Sequence, residues 1–224
     1  MCGRFTLTVD QDELSERYGC PIIVPDYRPR YNVAPSQIMP VVVEDKGQRH
    51  IEMMKWGLVP HWAKDGKMGN RLINARMETV AEKPAFRDSL QNRRCIVPAD
   101  GYYEWMMEGQ GKRPLRIVLE TGGLFGFAGL WDKWINEEGQ AVWTFSILTT
   151  APVKSIGYIH NRMPFILRRK DEEYWLGERR KITALEAPEF LGRLKPEEKL
   201  RAYPVSGLVN SPAHESPELI EQSL

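Results

Sequence analysis

Short apolar runs alternate with polar positions along most of the chain, the pattern of antiparallel strands that bury one face. Over residues 38–60, a β-branched run, a turn at residues 45–47 and a return run ending at Trp56 predict a β-hairpin. Residues 93–152 contain further runs, with predicted hairpin turns near Gly109–Gly111, Gly122–Gly123 and Glu138–Gly139. The pattern predicts an antiparallel meander or a barrel-like sheet.

A few segments have helical periodicity instead. Asp10 is a good N-cap for residues 11–18, with Leu14 and Tyr18 on one face and Gly19 at the end. Three further helices are predicted within 84–94, 171–177 and 183–194, and a strand within 200–206. We expect an extended loop over 20–40 and an extended tail over 207–222. In the loop, Tyr27 and Tyr31 pack on the body, or Arg28 and Arg30 form a basic rim near the N-terminus.

Composition narrows the function classes. The chain has 224 residues, 42% hydrophobic and 27% charged, which suits one soluble domain over 1–224. A formal net charge of +1 argues against a general polyelectrolyte binder. Three widely spaced cysteines and four scattered histidines indicate neither a disulfide framework nor a metal site, so we predict no cofactor. No signal segment or long apolar run occurs, and we expect a cytoplasmic protein.

The residue pair Met1-Cys2 is the strongest chemical feature of the sequence. If Met1 is removed, Cys2 presents an α-amine and a thiol on neighbouring carbons, a pair that captures an aldehyde as a five-membered thiazolidine ring. Gly3 removes bulk beside this nucleophile, and Arg4 can hold an anion there. If Met1 is retained, the amine lies in a peptide bond and this chemistry is impossible.

Four other positions are candidate partners for Cys2. Asn74 and Arg76 lie two apart in an extended segment and therefore share a face. Glu104, between bulky aromatic residues, is a candidate for proton transfer unless strand alternation turns it to solvent. His160 lies in a connection before a short strand, where an imidazole can face a ligand.

Trp62, in a loop, is expected to cover the core, with a base-stacking platform as the alternative. Cys95 is expected to be buried and inert.

Seven motifs occur in one order along the chain and together resemble a known family. They are MCGRF at 1–5, RYNVAP at 30–35, WGLVPHW at 56–62, INARMET at 73–79, PADGYYEW at 98–105, HNRMP at 160–164 and PVSGLVN at 204–210. The family is SRAP, the SOS-response-associated peptidases, which shield abasic sites in DNA by covalent crosslinking.

The resemblance implies a single compact SRAP domain of the α+β class, with a mainly antiparallel, barrel-like β core and peripheral short helices. It implies that the domain removes its own Met1 and crosslinks abasic single-stranded DNA through Cys2. It also implies DNA damage repair as the setting, binding near single-strand/double-strand junctions, and nucleoid association when crosslinked. We expect a monomer. The residues it implies are catalytic Cys2, Asn74, Glu104 and His160, and DNA-binding Arg4, Arg76, Arg162, Trp62, Trp56, Thr149 and Arg87. Asn161 departs from the Asp expected in many relatives, so no carboxylate there orients His160.

Two other functions fit the same residues. A thiol peptidase acting in trans would use Cys2 as nucleophile, His160 as base and Glu104 to orient the base. A non-covalent reader of damaged or modified DNA would need the basic residues but not the thiol.

Overall fold

Two β-sheets contain most of the regular secondary structure in this computed structural model, which describes residues 2–20, 27–177 and 182–223. The strands are β1 (Phe5–Leu7), β2 (Arg30–Val33), β3 (Ile38–Asp45), β4 (Gln48–Trp56), β5 (Asn74–Arg76), β6 (Arg94–Ala99), β7 (Gly101–Glu108), β8 (Gly111–Leu119), β9 (Phe125–Ile135), β10 (Ala141–Thr150), β11 (Met163–Pro164), β12 (Ile166–Leu167) and β13 (Leu200–Pro204). The α-helices are α1 (Gln11–Tyr18), α2 (Arg87–Asn92), α3 (Glu172–Leu176) and α4 (Ala187–Arg193). None of the helices in these ranges has the length and apolar character needed to cross a bilayer.

The first sheet is antiparallel, with the strand order β13-β8-β7-β1-β2. The second contains a barrel of five strands in the order β10-β4-β3-β6-β9, closed by the pairing of β9 with β10. Neighbouring strands of the barrel run antiparallel, except that β10 and β4 are parallel. Strand β5, outside the barrel, also pairs with β10 in parallel. The fold is therefore α+β with a closed, mixed barrel of five strands and a second, antiparallel sheet.

Elements with strong local signals form as predicted. The side chain of Asp10 accepts a hydrogen bond from the N–H of Glu13, and α1 ends where Gly19 adopts a φ of 67°. The β3–β4 hairpin turns through Lys46 and Gly47, both with positive φ, as a two-residue hairpin loop requires. The helices predicted within 84–94, 171–177 and 183–194 are α2, α3 and α4, and the strand predicted within 200–206 is β13.

Three local predictions need correction. Gly122–Gly123 does not turn a hairpin, because β8 belongs to the antiparallel sheet whereas β9 belongs to the barrel. Glycines at positive φ permit a reversal, but burial decides which strand the chain then joins. The extended tail contains 3-10 helices at Gly207–Asn210 and Pro217–Ile220. The expected loop over 20–40 contains β2, while its residues 21–26 lie outside the described ranges.

Aromatic rings join the first sheet to the barrel. Phe5 of β1 packs edge-on against Trp56 and Phe127, with ring centroids 5.1 and 5.9 Å apart. Tyr102 of β7 packs edge-on against Phe127 at 6.1 Å. Each such pair stabilises the fold by about 0.5–1.5 kcal/mol beyond the area it buries. The N-terminal strand is thereby fixed to the body of the protein instead of fraying.

Candidate active site and nucleic-acid interface

Cys2 lies immediately before β1 and is completely buried. Its sulfur is 4.0 Å from the carbonyl oxygen of Arg4, and the N–H of Tyr103 donates to the same oxygen at 3.0 Å. Burial raises the pKa of the Cys2 thiol above its ordinary range, and the negative charge of Glu104 raises it further. The thiol is therefore protonated at neutral pH and needs a base before it can act as a nucleophile.

Asn74 brings a side-chain amide to residue 2. Its Nδ2 donates to the backbone carbonyl of Cys2 at 2.7 Å. Strand β5 holds Asn74 in register with Ile147 of β10, so the barrel fixes its position. Buried Ala75 separates the partly exposed Asn74 from the exposed Arg76, which confirms that Asn74 and Arg76 share a face of an extended segment.

Glu104 lies on β7 and is 5% exposed, so strand alternation does not turn it to solvent. It shares a face of β7 with Tyr102, because the two are two residues apart in a strand. Its charge acts on the pKa of the Cys2 thiol, which puts the carboxyl group within electrostatic range of the sulfur. The structure thus brings Cys2, Asn74 and Glu104 together at the junction of the two sheets.

His160 and Arg162 lie where the chain enters β11. The backbone N–H of Arg162 donates to Nδ1 of His160 at 3.0 Å, which fixes the orientation of the imidazole. Strand β11 pairs with the end of β10. There Thr149 lies opposite Pro164 of β11 on one side and opposite Arg76 of β5 on the other. His160 is therefore positioned at the same end of β10 as the strand that carries Asn74.

The guanidinium of Arg162 has partners within the protein. It forms a bidentate ion pair with Glu78, with N–O distances of 2.6 and 3.0 Å, and donates to the carbonyl of Thr149 at 2.5 Å. The hydrogen bond from Arg162 lowers the pKa of Glu78. The side chain of Glu78 is half exposed, so this pair borders on solvent. Arg76, on the neighbouring strand β5, is exposed.

Arg4 is also held in place. Its Nη1 donates to Oδ1 of Asn32 and to the carbonyl of Val209, both at 2.7 Å, and the guanidinium lies 5.8 Å from the ring centre of Trp105. Burial lowers the pKa of Arg4. Arg4 thus joins β1 to the C-terminal segment beside the nucleophile.

Trp62 is half exposed, with 51% of its surface accessible, which corrects the expectation that it covers the core. The residues on either side are fixed: the N–H of His61 donates to Asp132 at 3.0 Å, and the indole of Trp134 donates to the carbonyl of Ala63 at 2.8 Å. Trp62 and exposed Arg87 line one open groove of about 590 Å³. A rigid backbone therefore presents the Trp62 ring to solvent.

Two predicted DNA contacts lie in the interior and are corrected. Trp56 has no exposed surface; its ring stacks on Phe145 and its indole donates to the carbonyl of Ile73 at 2.9 Å. Thr149 is 1% exposed and acts as a strand residue of β10 and a partner of Arg162. Both side chains lack the surface that a nucleic acid could contact, so we assign them to packing.

Sequence reasoning missed two residues that support the site. Glu78 lies within the INARMET motif, and its partner Arg162 is 84 residues away, so no local spacing indicated the pair. Asn32 lies within RYNVAP and is completely buried, where it accepts from Arg4 and donates to the carbonyls of Ser211 and His214.

Within the described ranges, no cluster of three or more His, Cys, Asp or Glu could hold a metal ion. Cys20 and Cys95 are buried free thiols.

Comparison with known proteins identifies the family to which this arrangement belongs. The family model "SOS response associated peptidase (SRAP)" matches residues 1–212. The chain belongs to the SRAP family. Abasic site processing protein YoqW of Bacillus subtilis (strain 168) is 44% identical over 227 residues, covering 99% of each chain. Abasic site processing protein HMCES of Gallus gallus is 31% identical, covering 87% of this chain and 66% of its own.

Solved structures have the same SRAP architecture. A crystal structure of a protein from Bacteroides thetaiotaomicron matches with a TM-score of 0.87 and 30% identity, over the whole of both chains. One from Bordetella bronchiseptica matches with a TM-score of 0.74 at 24% identity, over 92% of this chain and all of its own. The second likeness, at that identity, concerns the fold alone.

Proposed function

We propose that this protein processes abasic sites in DNA by forming a covalent thiazolidine crosslink through Cys2 after Met1 is removed. The observation that carries the proposal is the junction of β1, β5 and β7, where Asn74 holds the carbonyl of Cys2 and Glu104 lies within electrostatic range of its sulfur. The abasic site processing activity in the names of its relatives supports the choice of substrate.

The proposed chemistry starts with the release of Met1. Cys2 is fully buried in the chain that carries Met1, so we propose that excision makes both of its nucleophiles accessible. We assign this excision to the protein itself, as a peptidase-type reaction. Hydrolysis of the Met1–Cys2 bond releases methionine and leaves the α-amine, whose ordinary pKa of about 8 gives it a useful neutral fraction at pH 7.

Crosslinking follows in two steps. The amine nitrogen bonds to C1′ of the ring-opened sugar, and the aldehyde oxygen leaves as water with one proton from the amine and one from solvent, giving an iminium. Glu104 then takes the thiol proton, sulfur bonds to C1′, and the C=N electron pair moves to nitrogen to close the ring. The overall change is aldehyde plus aminothiol to thiazolidine plus water, without oxidation or reduction. His160 serves as the acid that protonates the sugar oxygen during ring opening.

The DNA path follows the exposed residues. We assign Arg76 and Arg87 to phosphates and Trp62 to base stacking, since these side chains reach solvent. Arg4 and Arg162 are assigned to the wall of the path, where each retains its protein partners. An abasic position exposes C1′ without base flipping, and single-stranded DNA or its junction with duplex fits an open surface. One lesion requires one copy of the protein.

The test uses the full chain and a single-stranded oligonucleotide with one abasic site, with an undamaged strand as control. We expect a heat-stable adduct whose intact mass equals the protein without Met1 plus the oligonucleotide minus one water. Cys2→Ala is expected to form no heat-stable adduct and to retain salt-sensitive binding, while Cys20→Ala crosslinks normally. A heat-stable adduct from Cys2→Ala, or from a species that still carries Met1, overturns the proposal.

A further inference from the structure

Tyr102 has a buried hydroxyl beside the proposed reacting atoms. The residue is completely buried on β7, and its Oη has no hydrogen-bond partner among the described residues. A buried hydroxyl is normally hydrogen-bonded, and leaving it unpaired is costly. The neighbouring rings Phe5 and Phe127 fill the same interface without a hydroxyl, so packing alone does not require a tyrosine at this position.

Strand pairing places Tyr102 beside the site, because the N–H of the next residue, Tyr103, donates to the Arg4 carbonyl oxygen that lies 4.0 Å from the Cys2 sulfur. Tyr102 is opposite Phe5 in the pairing of β7 with β1 and shares a face of β7 with Glu104. Burial raises the pKa of Tyr102 well above its ordinary range, and the ionised forms of Cys2 and Glu104 raise it further. A phenol with a raised pKa stays protonated and remains a hydrogen-bond donor at neutral pH.

We propose that Tyr102 is a further catalytic residue, whose hydroxyl donates a hydrogen bond to the Cys2 sulfur as the thiazolidine ring closes. The inference rests on the proposed function and adds a donor to its second step. Burial penalises the negative charge that the sulfur acquires when Glu104 takes its proton, and a donor aimed at that charge offsets the penalty. The phenol keeps its own proton and no bond to Tyr102 forms or breaks.

Tyr103 provides a matched control on the same strand. It faces the other side of β7, and its hydroxyl donates to the carbonyls of Tyr31 and Leu219 at 2.8 and 3.2 Å. Tyr102→Phe removes an unpartnered hydroxyl, whereas Tyr103→Phe removes a hydrogen-bonded one. The two variants therefore separate effects on chemistry from effects on stability.

The experiment follows both steps of crosslinking with the same abasic oligonucleotide. Borohydride reduces and traps the amine adduct before ring closure, and heating without borohydride leaves only the ring-closed product. For Tyr102→Phe we expect an unchanged rate of trapping and an about tenfold slower appearance of the heat-stable product, since a hydrogen bond to a charged group is lost. Its resistance to denaturant should equal or exceed that of the wild type. Tyr103→Phe should unfold more readily and crosslink at the wild-type rate.

The outcomes distinguish this inference from the proposed function. If the wild type crosslinks and Tyr102→Phe closes the ring at the same rate, the role of Tyr102 is wrong and the proposed function stands. Equal slowing of both steps, or slowing that accompanies lost stability, also rejects it in favour of a structural role. If the wild type forms no adduct, the proposed function fails and this inference fails with it.

Discussion

The side-chain amide of Asn74 and the backbone carbonyl of Cys2 are joined by a hydrogen bond of 2.7 Å, although 72 residues separate them in sequence. The donor is fixed by the pairing of β5 with β10, and the acceptor belongs to the residue that carries the proposed nucleophiles. A strand paired with the barrel thus holds the start of the other sheet in place.

Removing this hydrogen bond should slow crosslinking. For Asn74→Ala we expect an about fivefold lower single-turnover rate, because one net hydrogen bond of about 1 kcal/mol no longer orients residue 2. The rate is measured with the abasic oligonucleotide in excess. Asn92→Ala is the control, since the amide of Asn92 donates to Asp88 within α2. A wild-type rate for Asn74→Ala would remove Asn74 from the site.

Glu104→Gln tests the proton acceptor. The amide keeps the shape of the side chain but cannot take the thiol proton, so we expect the crosslinking rate to fall by about a hundredfold or more. Loss of the negative charge should also lower the pKa of Cys2, which the pH dependence of thiol alkylation measures. Glu108→Gln, an exposed position at the end of the same strand, should leave both unchanged. Unaltered crosslinking kinetics would exclude Glu104 as the base.

Arg76 should contact a phosphate. For Arg76→Ala we predict weaker binding to single-stranded DNA and a slope of log affinity against log salt that is shallower by about 0.7, the value for one phosphate contact. The control is Arg193→Ala, which removes an exposed cation from α4. Binding isotherms at several salt concentrations give the slopes, and an unchanged slope for Arg76→Ala would contradict the contact.

The two tryptophans of the WGLVPHW motif should behave in opposite ways. Trp62→Ala is expected to weaken DNA binding by about 1–3 kcal/mol, the value of stacking on one base, with little change in stability. Trp56→Ala is expected to lower the free energy of unfolding by about 3–5 kcal/mol, because it leaves a cavity in the core. Denaturant titration and binding measurements on both variants check the contrast. Equal destabilisation by the two substitutions would be inconsistent with the exposure of Trp62.

The ion pair of Glu78 with Arg162 should stabilise the fold in a pH-dependent way. The pKa of Glu78 is lowered in the folded state, so its contribution is present above the ordinary carboxyl pKa of 4.5 and is lost as the pH falls through the lower folded pKa. Because Glu78 is half exposed, we expect Glu78→Gln to cost under about 1 kcal/mol at pH 7. The difference from wild type, measured by denaturant titration, should shrink in acid. A difference that grows in acid would refute the assignment.

Local signals made much of the fold predictable from sequence. The cap at Asp10, the end of α1 at Gly19 and the turn at residues 45–47 each act over a few residues, so the hairpin and the helix follow from them directly. The parallel pairing of β10 with β4 joins segments about a hundred residues apart, and no short pattern specifies it. The hairpin predicted at Gly122–Gly123 was wrong because no short pattern shows that β8 and β9 pair in different sheets.

The sequence predicted which residues to consider for the site, but not which of them are exposed or what they contact. The motifs identified the residues to consider, and alternation in β5 correctly placed Asn74 and Arg76 on one face. Exposure was harder to predict, because Trp56 and Trp62 lie in one motif and only tertiary packing separates the buried ring from the exposed one. The partners of Arg162 and Arg4 lie in distant parts of the chain, so their involvement in contacts within the protein was not apparent from spacing.

The double pairing of β10 has an evolutionary consequence. Strand β4 pairs with β10 up to Trp56, and β5 pairs with the next part of β10 from Asn74 onward. Between them, the N–H of Leu58 donates to the carbonyl of Leu72 at 3.2 Å, which brings the two ends of the intervening segment together. Residues 59–71 therefore form a loop whose ends lie together, and the hydrogen bonds of His61 with Asp132 and of Trp134 with Ala63 attach it to β9. Such a loop can change in sequence without altering the pairing of β10, so the surface around Trp62 can vary independently of the position of Asn74.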